Sequence, residues 1–130
     1  GRSDIYRAPR LPGGRFGEPV NIGRPPTSEE GEGDPFASPD ERYLLITSRR
    51  PNGFGEADLY VSFRAADGGW GQPVNLGDTI NTAGTEFCPM VTPDGKYLFF
   101  SRRFGGSSWE TSTDADVFWV DIGVVERLRR

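Results

Sequence analysis

One segment of the chain is written twice, 54 residues apart. Gly17-Glu18-Pro19-Val20-Asn21-Ile22-Gly23 returns as Gly71-Gln72-Pro73-Val74-Asn75-Leu76-Gly77. The same offset carries Phe16 to Trp70, Glu32 to Glu86, Pro35 to Pro89, Pro39-Asp40 to Pro93-Asp94 and Tyr43-Leu44 to Tyr97-Leu98. Asp4-Ile5-Tyr6 becomes Asp58-Leu59-Tyr60, then Asp116-Val117-Phe118 after a four-residue insertion. A fixed period of this size means stacked copies of one supersecondary unit, because a single copy cannot bury its own apolar face.

The clearer copy runs from Asp58 to Ala115. Asp58 to Phe63 places Leu59, Val61 and Phe63 on one face, the period of a strand. Ala66-Asp67-Gly68-Gly69 supplies the positive φ of a tight turn, and Trp70 to Leu76 follows as a short strand. Pro73 and Pro89 lack a ladder donor, so the strands that hold them belong at sheet edges. Thr92-Pro93-Asp94-Gly95 has the pattern of a type I turn. Tyr97 to Ser101 is apolar enough to be covered on both faces. Ile122 to Leu128 is the one segment with a helical period, placing Val124, Val125 and Leu128 together. The expectation is an all-β chain of nine strands in groups of two, four and three. Antiparallel four-stranded units repeated along a chain are the pattern of β-propeller blades. The count gives about two and a quarter blades: residues 1–23 ending one, 24–77 a full one, and 78–130 the last with a short tail.

Composition narrows the function. The chain has 130 residues, a net charge of −4, no His and a single Cys. A nonspecific nucleic-acid binder needs a basic face, and the Arg127, Arg129, Arg130 tail is too short to supply one. A His-based triad, a His-ligated zinc and an internal disulfide are excluded. No run is long and apolar enough for a membrane-spanning helix. Nothing calls for a cofactor.

The ordered motifs resemble those of the TolB-type, WD40-like β-propeller repeat family. The first set is Ser38-Pro39-Asp40-Glu41, Tyr43-Leu44-Leu45-Ile46, Ser48-Arg49 and Asp58-Leu59-Tyr60. The second is Thr92-Pro93-Asp94-Gly95, Tyr97-Leu98-Phe99-Phe100, Ser101-Arg102 and Asp116-Val117-Phe118. The departures are Glu41 for Gly and Thr92 for Ser in the turns, and the bulky Trp119 after Phe118. The resemblance covers essentially the whole chain and implies a fold rather than a reaction. It implies a noncatalytic scaffold that recognises a protein, peptide or glycan through blade loops, exported to a bacterial periplasm or beyond. The alternative is a propeller accessory to a peptidase or glycan-active domain outside this chain. A piece of a longer propeller would leave open blade faces, to be covered by further blades or by self-association.

Several side chains carry two readings each. Asp40 and Asp94 could be acids, but their place in the turns suits bonds to backbone, and equivalent sites in neighbouring blades lie too far apart for a carboxylate pair. Arg49 with Asp58, and Arg102 with Asp116, could lock one hairpin per blade; the doubled Arg49-Arg50 and Arg102-Arg103 could instead form an anion site. Glu32 and Glu86 open the inner strands, where they could bond an adjacent blade's backbone or line a channel mouth that takes a cation or basic peptide. Glu29, Glu30 and Asp34 enrich the first copy in acid. Asn21 and Asn75 suit turn shaping. Cys88 reads as a small, inert apolar residue of an inner strand. Trp109, in the insertion, is a candidate stacking platform. The expected ligand contacts are Glu32, Asp34, Glu86 and Trp109.

Overall fold

The computed structural model describes residues 2–104 and 114–129. These residues form β1 (Tyr6–Arg7), β2 (Val20–Asn21), β3 (Glu32–Ala37), β4 (Tyr43–Ser48), β5 (Asp58–Phe63), β6 (Val74–Asn75), β7 (Thr85–Val91), β8 (Tyr97–Phe104) and β9 (Asp114–Asp121), then a short helix, α1 (Gly123–Glu126). The strands make three sheets, ordered β1-β2, β3-β4-β5-β6 and β7-β8-β9. Every pairing between these strands is antiparallel. Among the described residues no helix is long and apolar enough to cross a membrane.

The repeat reappears as repeated register. Tyr6 faces Asn21 and Arg7 faces Val20 in the first sheet; Tyr60 faces Asn75 and Val61 faces Val74 in the second. Glu32 opposes Ser48, and Glu86 opposes Arg102. Both of these ladders slip at the same place, between Gly33 and Phe36 and between Phe87 and Met90. The cause is local. Pro35 and Pro89 cannot donate to the ladder, and a bulge absorbs the missing bond. The residue before each proline takes a left-handed backbone, with φ of 48° at Asp34 and 50° at Cys88. That region is unfavourable for a residue with a Cβ, and Asp tolerates it better than Cys. The proline-bearing strands β3 and β7 are edges, while β4 and β5 are centres.

The turns close as their residues dictate. Glu41 N–H donates to the Ser38 carbonyl and Gly95 N–H to that of Thr92. Glu41 holds the position with φ of 54°, where the second copy has Gly95 at 73°.

The sheets stack through matching residues. Leu59 and Val61 of β5 share a core with Leu98 and Phe100 of β8, and Val125 of α1 joins it with Val124 and Leu128 packed against it. One step earlier in the chain, Ile5 packs with Leu44 and Ile46 of β4. Strand β4 therefore has both faces covered, Tyr43 and Leu45 in one cluster and Leu44 and Ile46 in the other.

Strand β8 differs from expectation. Leu98 and Phe100 are buried, but Tyr97 on the opposite face is exposed. The reason lies on β9, where Val117 and Trp119 are 69% and 62% exposed. Their counterparts on β5, Leu59 and Val61, are 0% exposed, buried in the core cluster that the next sheet shares through Val91, Leu98 and Phe100. No described residue covers the outer face of the last sheet; Trp119 there packs edge-on to Tyr97, centroids 5.3 Å apart.

Candidate functional site: a cleft at the seam of two repeats

Each repeat is joined to the sheet before it by a buried glutamate. Glu32 N–H donates to the Ser3 carbonyl, and Glu86 N–H to the Ala57 carbonyl. Their carboxylates turn back into their own copies. Glu32 accepts from Ser28 N–H (2.8 Å), Ser28 Oγ (2.5 Å) and Ser48 Oγ (3.0 Å). Glu86 accepts from Thr82 N–H (3.1 Å) and Thr82 Oγ1 (2.6 Å). An arginine completes each brace. Arg102 Nε lies 2.8 Å from Glu86, and its Nη2 donates to the Ile80 carbonyl at 2.6 Å. Arg50 Nη2 lies 3.4 Å from Glu32 and donates to the Pro25 and Pro26 carbonyls. The two glutamate side chains are fully buried, so these pairs satisfy charges that would otherwise be costly.

This differs from an Arg–Asp lock in each hairpin. Asp58 accepts from Phe54 N–H (2.6 Å), Gly55 N–H (3.0 Å) and Asn75 Nδ2 (2.8 Å). Asp4 accepts from Asn21 at 3.0 Å in the same way. Arg49 is exposed, and no hydrogen bond or ion pair among the described residues engages it. Asp116 stands opposite Arg102 across β8 and β9, but the guanidinium turns to Glu86. A three-donor shell on Asp58 leaves no need for a cation, which is why the sequence motif misassigns the arginine.

Other sequence-singled residues shape loops. Asn21 and Asn75 accept from Gly23 and Gly77 N–H. Asn81 acts as a surrogate strand, exchanging two bonds with the Leu59 backbone. Asp40 accepts from Ser38 Oγ, Arg42 N–H and the Arg42 guanidinium. The Ser38 bond and then the Arg42 contacts hold its carboxyl down at about 2. Asp94 repeats the arrangement with Thr92 Oγ1 and Lys96 N–H, and it too is lowered, first by Thr92. These acids are ionised turn clamps.

Cys88, on the inner strand β7, is exposed. Its left-handed backbone turns it out of the sheet, and its N–H reaches Asp34 Oδ2 at 3.3 Å. Partial burial of the sulfur and then the Asp34 charge push its thiol up, the opposite of a reactive thiolate.

Where the first and second repeats meet, a cleft of about 360 Å³ opens. Arg2, Arg49 and Arg103 line it with Glu30, Glu32 and Asp34. The hydroxyl-bearing Ser3, Thr47, Ser48 and Thr85 also border it, and Phe87 supplies an apolar wall. Of the expected contacts, Glu32 and Asp34 reach this lining and Glu86 does not. Trp109 lies outside the described residues. Ser28 and Thr82 were missed by sequence reasoning, although both stand four residues before a repeated glutamate. Arg50 was missed as a brace because it sits two positions beyond the place equivalent to Arg102. Among the described residues no group of three or more His, Cys, Asp or Glu is placed to hold a metal ion.

No protein family, curated protein or solved structure matches the chain.

Proposed function

We propose that the three sheets are successive blades of a TolB-type β-propeller and that the chain is a noncatalytic binding scaffold. The first blade is represented by two strands and the last by three. The kinship with exported bacterial repeats suggests a periplasmic or extracellular setting. The observation that carries the binding reading is the seam cleft, to which both repeats contribute polar side chains from strand ends and edges. Rigid sheets with polar groups converging on a concave site suit recognition. The acids that might have served catalysis are engaged elsewhere: Glu32 and Glu86 in braces, Asp40 and Asp94 in turns, Asp58 in a loop anchor. The Val117 and Trp119 face is suited to receive another blade, from the same protein or from a second copy.

The test is a panel of peptides and oligosaccharides followed by amide NMR. The reading expects saturable shifts at residues 31–34, 47–49 and 85–87, with the ligand recovered intact. Turnover of a ligand by the chain alone, or no saturable ligand in the panel, would overturn it.

A further inference from the structure

One position of the repeat holds Asp4, Asp58 and Asp116. Two of these three aspartates are clamped by an asparagine from the neighbouring strand. Asn21 Nδ2 donates to Asp4 at 3.0 Å, and Asn75 Nδ2 to Asp58 at 2.8 Å. Asp116 is exposed, and no hydrogen bond or ion pair among the described residues engages it. Its strand, β9, stands at the edge of its sheet, whereas the counterpart β5 has β6 beyond it. We propose that the open edge of β9 receives an extended segment of a partner polypeptide with the pattern Val-Asn-(Leu or Ile)-Gly, its asparagine seated on Asp116.

The backbone is the first argument. Ile122 N–H donates to the Lys96 carbonyl. Bonding alternates along an antiparallel ladder, so Val120, Phe118 and Asp116 turn their backbone groups toward β8. Trp119 and Val117 turn theirs to the open edge, where no backbone group among the described residues meets them. In β5 the same positions are filled. Val61 pairs with Val74, and the Leu59 carbonyl accepts from Leu76 N–H at 3.0 Å. In the first sheet the Ile5 carbonyl accepts from Ile22 N–H at 3.0 Å. Val117 and Trp119 are both exposed, so an arriving chain can reach this edge. A long edge with unpaired N–H and C=O groups is a template for an added strand.

The second argument selects the sequence of the arriving strand. In both filled repeats the segment reads Pro-Val-Asn, an apolar residue, then Gly. The asparagine Nδ2 goes to the aspartate, and its Oδ1 accepts from the N–H of Gly23 or Gly77. Those glycines take φ of 76° and 84°, which a residue with a Cβ rarely adopts. The apolar residue packs beside the apolar residue of the strand it joins: Leu76 is buried with Leu59, and Ile22 packs with Ile5. On β9 it lands beside Val117, whose side chain is exposed. An aspartate at a covered edge needs a donor, and a side-chain amide supplies one. The third argument selects the source. Both segments of this pattern in the chain are paired in their own sheets. A second copy therefore has none to spare, and the donor is a different polypeptide.

This inference rests on the scaffold reading but uses the β9 edge rather than the seam cleft, so the two can fail separately. The probe is a fluorescein-labelled Gly-Gln-Pro-Val-Asn-Leu-Gly peptide amide. One control peptide is N-methylated at Leu, which removes the N–H meant for the Val117 carbonyl; another carries Asp in place of Asn. Binding to the whole chain is read by fluorescence anisotropy, and exchange of the Trp119 amide by NMR. The protein variants are Asp116→Asn and Glu18→Gln, Glu18 being an exposed acid beside the first sheet. The expected result is saturable binding of the parent peptide with slowed exchange at Trp119. N-methylation abolishes binding, and the Asp peptide and Asp116→Asn each weaken it about tenfold. The Asp peptide regains binding on Asp116→Asn, because donor and acceptor have changed places, and Glu18→Gln changes nothing. Asp116→Asn keeps the parent's thermal unfolding, so lost binding is not lost folding. Equal binding of the N-methylated peptide, equal loss in Glu18→Gln, no recovery in the exchanged pair, or no peptide binding overturns the inference. So does a Trp119 amide already protected in the chain alone, or a dimer of the chain that the peptide dissociates, since the protein would then fill this edge itself. If ligands of the wider panel shift the cleft residues while this peptide does not bind, the scaffold reading stands and this inference falls.

Discussion

Replacing the arginines one at a time separates the structural cations from the others. In Arg102→Ala the Glu86 carboxylate keeps its two bonds to Thr82 but loses its counter-charge. Glu86 is 0% exposed and Arg102 13% exposed, so little water can replace the guanidinium. Removing one partner of a buried pair costs roughly 3–5 kcal/mol. The bonds that survive at Thr82 place this case at the low end, about 3 kcal/mol. Arg50→Ala removes a longer contact of 3.4 Å from a side chain that is 18% exposed, so its cost is lower, about 2 kcal/mol. Arg49→Ala removes an exposed side chain with no partner among the described residues, and stays within about 0.5 kcal/mol. The assay is urea unfolding followed by tryptophan fluorescence. With a slope of about 2 kcal/mol/M, the midpoint falls by ~1.5 M for Arg102→Ala, ~1 M for Arg50→Ala and at most ~0.25 M for Arg49→Ala. A lock between Arg49 and Asp58 would reverse the order within the first pair. Equal losses for Arg49→Ala and Arg50→Ala would refute the division of roles.

Three further outcomes follow from individual contacts. Asp40 titrates at about 2, and Ser38→Ala raises that value toward the ordinary 3.8. Because the folded value is depressed, its contribution to stability is present above 3.8 and fades as pH falls toward 2; carboxyl carbon NMR reads this, and an ordinary midpoint in the parent would contradict it. Cys88, though exposed, reacts with iodoacetamide at neutral pH more slowly than after denaturation, since its thiol is raised; faster reaction in the folded chain would contradict the assignment. Gly55→Ala would drive a Cβ into the Thr82 and Gly84 carbonyls. Thermal unfolding should show a loss of roughly 1–3 kcal/mol, and an unchanged midpoint would mean the loop around Asp58 lies elsewhere.

Much of the architecture was legible because it is written twice. Pro73 and Pro89 announced edge strands through their missing donors, and the structure puts β6 and β7 at edges. The Asp-Gly turn chemistry and the helical period near Val125 were local signals with local outcomes. What failed did so for physical reasons that one repeat unit cannot express. Tyr97 to Ser101 was expected to be covered on both faces; covering requires a neighbouring sheet, and apolarity in the strand does not supply one. Arg49 looked like the partner of Asp58, but three nearby donors fill that carboxylate first. Cys88 read as a small, inert residue of an inner strand; its place at a bulge before Pro89, where it is exposed, could not be seen from the strand pattern. The cleft could not be read in advance, since it is made by residues brought together from Arg2 to Arg103.

The propeller arrangement is tested most directly by the rotation that carries β3-β4-β5 onto β7-β8-β9 in a crystal structure of the protein. A ring of four to eight blades requires a turn of roughly 45–90° about a common axis, with β3 and β7 nearest to it. That result is predicted. A rotation near zero, with the sheets stacked by translation alone, would contradict the propeller and leave a linear solenoid in its place.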